Sequence, residues 1–168
     1  MRSELSFYVV DTEVGFVGLV LSEQGLRHTT LPRKTRDQAL TDVAELGATR
    51  AAPASEARAI SKDVQTLGAG RHADLSRYVD WDGVTPFQRA VLEQTMRIPI
   101  GETRSYGEIA ELAGSPRAAR AVGRVMATNP LPFVVPCHRV IGSDGTLHGY
   151  GGGLDLKERL LKVEGARV

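Results

Sequence analysis

The sequence predicts an α+β protein: a small antiparallel sheet with helices over residues 1–82, then a helical part over residues 83–168 built on a helix-turn-helix of winged-helix-like outline. Three observations predict it. Short β-rich runs separated by turn residues open the chain. Sharp helix-start signals recur in the second half. Two short helices there are joined by a brief Gly-containing turn.

Residues 7–10, 16–21 and 26–31 are rich in Val, Leu, Phe and Tyr and read as strands, with Val14-Gly15 and Glu23-Gln24-Gly25 supplying the turns. Thr35 caps a helix to about Leu46, closed by Gly47. Residues 47–53 are Ala-rich without a period and read as a loop. A second helix runs from about Ser55 to Leu67 and ends at Gly68-Ala69-Gly70; residues 75–81 alternate like a strand. The break between the two parts falls at Asp82 to Val84.

Beyond it, Thr85-Pro86-Phe87-Gln88 is a capping box with Pro at the first helical position, and its helix stops before Pro99. Ser105-Tyr106-Gly107-Glu108 is a second box, opening a short helix to Ala113 with Gly114 as its stop. Ser115-Pro116 starts the next helix, which carries Arg117 and runs to about Thr128. Asp155 with Glu158 announces the last helix, ended by Gly165. The run Gly149-Tyr150-Gly151-Gly152-Gly153 before it is either a linker or backbone that must approach something closely.

Composition narrows the function classes. Hydrophobic and charged fractions of 42% and 24% are ordinary for a folded domain. No apolar run approaches the about 18 residues that span a bilayer, and Met1-Arg2-Ser3-Glu4 leads into the first strand without a signal-peptide core. One unpaired cysteine agrees with a reducing compartment, so cytoplasm with nucleoid association is expected and no membrane partner is. Net charge is only +1, yet no acidic residue lies between Glu111 and Asp144, where Arg117, Arg120, Arg124 and Arg139 fall. That is either a footprint for an anionic polymer or an ordinary solvated basic face.

The chemistry gathers at Cys137. A single thiol cannot form an intramolecular disulfide or a multi-thiolate metal site, which leaves buried filler, redox sensor or nucleophile. His138 is adjacent, and Glu164 on the last helix could orient an imidazole. From the residues alone this trio is open, since there are four histidines and any acid could be the third member. Upstream, Ala118, Ala119, Ala121 and Gly123 surround Arg120. Such small residues let a helix approach a groove closely with one long side chain reaching in, or let it pack tightly on its own protein.

The run Pro136-Cys137-His138-Arg139-Val140, preceded by Asn129-Pro130 and followed by the Gly149–Gly153 run, resembles the O6-alkylguanine-DNA alkyltransferases. The resemblance extends through Gly101-Glu102-Thr103-Arg104-Ser105-Tyr106-Gly107-Glu108-Ile109-Ala110, the Arg117 to Asn129 helix, Lys157-Glu158 and Glu164-Gly165, covering the chain from about Thr85 onward. It implies a DNA-repair protein that moves the alkyl group of O6-alkylguanine in duplex DNA irreversibly to its own Cys137. The reaction would occur once per molecule, with base flipping by a helix-turn-helix bound in the minor groove.

In that scheme Cys137 is the acceptor, His138 its base through a water, and Glu164 the group orienting that histidine. Tyr106 gives a hydrogen bond or proton to the departing guanine, and Arg120 fills the gap left by the flipped base. Ala119, Ala121 and Gly123 let the helix approach the groove, and Asn129 braces the turn before the nucleophile. Backbone around Cys137 and Val140 reads the guanine amino group; Tyr150 and Gly151 line the pocket near the alkylated oxygen. Relatives often carry Ser at Gly151, a departure that a backbone N–H role survives. No Cys precedes position 137, so the zinc site of some relatives is not expected, nor any metal or cofactor. The implied partner is double-stranded DNA carrying the lesion, bound by a protein monomeric in solution and able to cluster on DNA.

Two other function classes compete. A module that recognises alkylated guanine without transfer would lack the acceptor cysteine, which this chain has. A redox-sensing regulator on the same helices would need a resolving Cys or a dimerisation helix, and neither is evident in the sequence.

Overall fold

The computed structural model describes residues 4–145 and 150–166; His148 and Gly149 lie outside them. The chain divides into two compact units. One holds the residues up to Trp81 together with Pro130–Val134; the other holds Asp82–Asn129 and the residues from Val135 onward.

In the first unit, β1 (Ser6–Thr12), β2 (Gly15–Ser22) and β3 (Gly25–Thr29) form an antiparallel meander. Five consecutive positions of β2, Val17 to Leu21, are buried, so both faces of this strand are covered. Helix α1 (Arg36–Glu45) opens on the Thr35 capping box, completed by Gln38, and packs close to β2: a Cβ added at Gly18 would meet Val43 Cγ1 at 2.4 Å. Val20, Val43 and Ala48 form a cluster there.

Two sequence readings are corrected here. The segment read as a loop after Gly47 contains β4 (Arg50–Ala51), which pairs parallel with β1 and makes the sheet order β3-β2-β1-β4. Two exposed residues carry no alternation to read; backbone alone defines this strand, through Thr49 N–H to Leu5 O at 3.0 Å and Ala52 N–H to Phe7 O at 2.8 Å. Helix α2 (Ala54–Gly68) follows, burying Ala57, Ile60, Val64 and Gly68 at helical spacing. Residues 75–81 are not a strand but a 3₁₀ turn at Ser76–Tyr78, started by Asp74 accepting from Ser76 N–H. Only one bridge, Leu26 to Val79, joins this stretch to the sheet. Leu75 and Val79 are both buried, four positions apart, which mimics the period of a strand.

Residues 130–134 belong with this sheet because Thr29 holds them twice. Its N–H donates to Pro130 O at 3.1 Å and its hydroxyl to Pro132 O at 2.6 Å. Leu131, Phe133 and Val134 are buried, and Phe133 takes φ = 75°, a left-handed conformation that costs a non-glycine residue about 1–3 kcal/mol.

The second unit contains α3 (Pro86–Met96), β5 (Arg104–Ser105), α4 (Tyr106–Leu112), α5 (Ala119–Ala127), β6 (Val140–Ile141) and α6 (Leu154–Val163). The Thr85 and Ser105 capping boxes form as expected, with Gln88 and Glu108 as their third residues. Val91, Leu92, Ile109, Ala110, Val122, Leu160 and Leu161 are among its buried apolar residues. The helix after Ser115 starts later than the sequence suggests. Ser115 to Ala118 form a turn closed by Ala118 N–H to Ser115 O, so Arg117 precedes α5 and the helix has no side-chain N-cap. The connection from α4 therefore runs from Ala113 to Ala118. Asp155 is likewise not a cap: Gly153, at φ = 90°, starts α6, leaving Asp155 inside its first turn, where it still complements the helix dipole.

Gly25 offers a test of the first unit. It sits at φ = 138°, and an added Cβ would lie 2.2 Å from the carbonyl oxygen of Tyr78, backbone that cannot swing away. Gly25→Ala should lower the urea midpoint by the equivalent of about 2 kcal/mol or more with an unchanged m-value. An unaltered midpoint would show that the turn relaxes freely.

Candidate active site

The nucleophile candidate is set by a run of local constraints. Asn129, just past α5, donates its side-chain N–H to Val135 O at 3.1 Å and so spans the loop leading to the cysteine. Pro136, at φ = −78° and ψ = 67°, forms an inverse γ-turn in which Cys137 N–H donates to Val135 O at 2.7 Å. The ring fixes φ near this value. Cys137, His138 and Arg139 then make one 3₁₀ turn, all three buried, before β6.

The β5–β6 pairing brings the other wall. Arg104 is opposite Val140 and Ser105 opposite Ile141, so Tyr106, at the first position of α4, starts beside the strand that follows the cysteine. Burial pushes the half-buried Tyr106 hydroxyl up, and the nearby Cys137 sulfur adds to this.

Glu164 arrives from the end of α6. It is the C-cap residue, followed by Gly165 in the left-handed conformation, and only 6% of its side chain is exposed. One carboxylate oxygen bonds Nε2 of His138, whose side chain is 1% exposed; the other accepts from Arg139 Nε at 2.6 Å. Arg139 also donates through Nη1 to Ile98 O at 2.7 Å. Glu164 on Nε2 fixes that nitrogen as the donor of the neutral ring, which leaves Nδ1 as its basic nitrogen.

Lys157 is the second cation of the site. It is fully buried on α6, and its ammonium donates to Val140 O at 2.8 Å. Burial drives its pKa down while Cys137 opposes this. Around the thiol itself, burial raises the pKa; a hydrogen bond from Asn129, the Lys157 charge and the Tyr150 hydroxyl pull the other way without overcoming it. Cys137 is thus a neutral thiol at rest and needs a base. Tyr150, half-buried, has its hydroxyl enclosed beside the sulfur without a hydrogen bond of ordinary geometry among the described residues, and burial pushes it far above the usual phenol value.

Burial lowers the His138 pKa, and Arg139 and Lys157 add to that against the pull of Glu164. Burial pushes the Glu164 carboxyl up, but His138 and Arg139 outweigh it and hold it below the ordinary carboxylate range. The imidazole is therefore kept neutral and able to accept a proton.

The sequence-derived residues fall into two groups. Cys137, His138, Glu164, Tyr106, Asn129, Val140 and Tyr150 gather around the 3₁₀ turn. On α5, Val122 and Val125 are buried; Arg120 and Arg124 are exposed, Ala119, Ala121 and Gly123 are half-covered, and nothing lies within 4 Å of a Cβ built on Gly123. Gly151 is exposed. One reading is corrected: Arg139, counted with the basic stretch, is 5% exposed and engaged by Glu164 and Ile98, so it does not belong to a solvent-facing surface. The roles of Arg139 and Lys157 escaped the sequence reading. Their signals were a formal charge on either side of buried apolar neighbours, Val140 and Leu160-Leu161. Among the described residues no three His, Cys, Asp or Glu side chains gather as a metal site requires.

Fold and site define a class: helix-turn-helix proteins with a buried Cys–His–Glu centre on the same unit. The model of the 6-O-methylguanine DNA methyltransferase DNA-binding domain matches residues 86–166. A Mycolicibacterium paratuberculosis protein named methylated-DNA–protein-cysteine methyltransferase is 47% identical over 95% of this chain and 92% of its own length. A Methanosarcina barkeri protein of the same name is 38% identical over 93% and 94%. The crystal structure of Mycobacterium tuberculosis O6-methylguanine methyltransferase superposes with a TM-score of 0.74 at 36% identity, covering 98% of this chain and 94% of that one. The M. tuberculosis protein in complex with DNA gives 0.75 at 34% identity, covering 95% and 92%. The chain belongs to the methylated-DNA–protein-cysteine methyltransferase family.

The two lowered pKa values act on stability in one direction. A carboxyl and an imidazole that both resist protonation in the native state mean that the unfolded chain binds more protons. Stability from these groups is complete above about pH 6.5, the unfolded histidine value, and is lost as pH falls through the folded values. Urea midpoints should drop with acidification from that point. Glu164→Gln should cost about 3 kcal/mol near neutrality, because it strands Arg139, and should lack the part of the drop that begins near about pH 4.3. Parallel curves for the two proteins would remove Glu164 from the linkage.

Proposed function

We propose that this chain repairs duplex DNA by taking the alkyl group of O6-alkylguanine onto Cys137, once per molecule. The observation that carries the proposal is the buried series Cys137, His138 and Glu164, with the carboxylate fixing Nε2 as donor and leaving Nδ1 to act as base. The Cys137 proton passes through a water to Nδ1 of His138. The sulfur attacks the alkyl carbon; the S–C bond forms as the C–O bond breaks, and the electron pair stays on guanine. Tyr106 neutralises the leaving base by donating its proton, and the proton from the thiol restores the balance. The thioether has no easy leaving group, which makes the reaction a single turnover.

The lesion must leave the base stack before chemistry can reach it, at a cost of a few kcal/mol. Arg120, exposed on α5 among small residues, is the side chain that takes its place from the minor groove. Val140 O already accepts from Lys157, and its second lone pair is the acceptor offered to the guanine amino group. The DNA-bound relative supports DNA as the partner. Within this reading the protein acts as a monomer in the cytoplasm, at the nucleoid, and clusters along DNA. With Arg120 in the stack, the exposed arginines available for phosphates are Arg117 and Arg124.

Intact-protein mass after incubation with O6-methylguanine duplex should show one added methyl group on the peptide holding Cys137, and Cys137→Ser should show none while still binding DNA. Turnover beyond one equivalent would sink the mechanism.

Arg120→Ala should slow transfer from duplex DNA by about ten-fold or more, since about 1.4 kcal/mol is a factor of ten, and leave the rate on free O6-benzylguanine nearly unchanged. Equal losses on both substrates would make Arg120 a residue of the fold or pocket.

A further inference from the structure

We propose that Arg139 is a positioning residue for alkyl transfer: it takes one oxygen of Glu164 and ties that carboxylate to the end of α3, so that the other oxygen serves His138 alone. The inference rests on the reading of His138 as the base, and adds the group that keeps it in working order.

Three observations carry it. Arg139 is 5% exposed, so its charge is withdrawn from any solvent-facing surface and must be answered inside the protein. Its two contacts diverge: Nε donates to Glu164 Oε2 at 2.6 Å, while Nη1 donates to Ile98 O at 2.7 Å, just past the C-cap of α3. A planar guanidinium fixes the angle between those donors, so Ile98 sets the orientation in which Nε meets the carboxylate. The carboxylate is divided as well, with Oε1 on His138 and Oε2 on Arg139. Without Arg139 the carboxyl group could rotate or take up a proton, and Nε2 would lose its fixed acceptor.

The charge has its own effect. Among the described residues, charged groups acting on His138 include Glu164 and Lys157 from α6 and Arg139 from its own turn, and burial of the ring lowers its pKa before any of them. Glu164 alone would favour the imidazolium, which cannot act as a base. Arg139 offsets that carboxylate, so His138 keeps an acceptor for Nε2 while remaining neutral.

The test compares pH profiles of single-turnover alkyl transfer for wild type, Arg139→Gln and Arg139→Lys, with thermal unfolding measured alongside. Arg139→Gln removes the cation; the acid limb should move up by about one pH unit, giving transfer about ten-fold slower on that limb and little change where His138 is neutral in both proteins. Arg139→Lys keeps the charge and should return the limb most of the way, although it loses the Ile98 contact. A uniform slowing at every pH, equal in the two variants, would make Arg139 scaffold and overturn the proposal, as would an unmoved limb in folded Arg139→Gln. If Arg139→Gln does not fold, Arg139→Gln with Glu164→Gln should, because the stranded carboxylate is gone; failure of that double variant would overturn the proposal too. His138→Asn separates the layers: an acid limb that persists there removes His138 as the base, whatever Arg139 does.

Discussion

Burying the Glu164 carboxylate at the C-terminal end of α6 is unfavourable twice over, because it loses water and because a helix end already carries partial negative charge. His138 and Arg139 offset both penalties, and the geometry this demands reaches through the unit. Gly165 must turn the chain left-handed so that Glu164 faces inward. Gly101 takes φ = 86°, which disfavours a side chain, and a Cβ there would stand a slightly tight 3.3 Å from Glu164 O. Ile98 must leave its carbonyl where Arg139 can reach it. The glycines and the α3 terminus are thus conditions for housing one charge.

The same economy governs the thiol. A low-pKa cysteine would be open to oxidation at all times. Here burial keeps Cys137 neutral, while Asn129, Lys157 and Tyr150 supply a stabilisation too small to ionise it unaided. In the proposed reaction, ionisation of the thiol depends on proton acceptance by His138. Lys157 shows how far this goes: a buried ammonium is costly, and its donation to Val140 O offsets part of that cost while its charge favours the thiolate.

Much of the fold was legible because it is signalled locally. The Thr35, Thr85 and Ser105 boxes are each a side chain and a backbone amide three residues apart, and all three formed. Some failures depend on partners distant in sequence, others on local backbone angles that composition does not show. β4 exists through the backbone of β1. The residues around Val79 imitate strand alternation while forming a 3₁₀ turn and a single bridge. Asp155 looks like a cap until the φ of Gly153 is known. In the site, Cys137 and His138 stood out through composition and adjacency; Glu164 was one candidate acid among several until the family resemblance singled it out. Arg139 was grouped with the surface arginines because a one-dimensional charge count cannot see that its partner lies twenty-five residues on, at the end of another helix.

The family model begins at residue 86, which invites treating the second half as a cassette. The path of the chain argues otherwise. Pro130–Val134, the five residues between the brace Asn129 and the γ-turn that presents Cys137, are folded as part of the sheet unit, clasped by Thr29, with Phe133 held in a left-handed conformation. Excising residues before 82 would leave two carbonyls without their donors and Leu131, Phe133 and Val134 without their cover, immediately upstream of the nucleophile. The chain thus re-enters the sheet unit at residues 130–134 before it returns to the unit that holds Cys137.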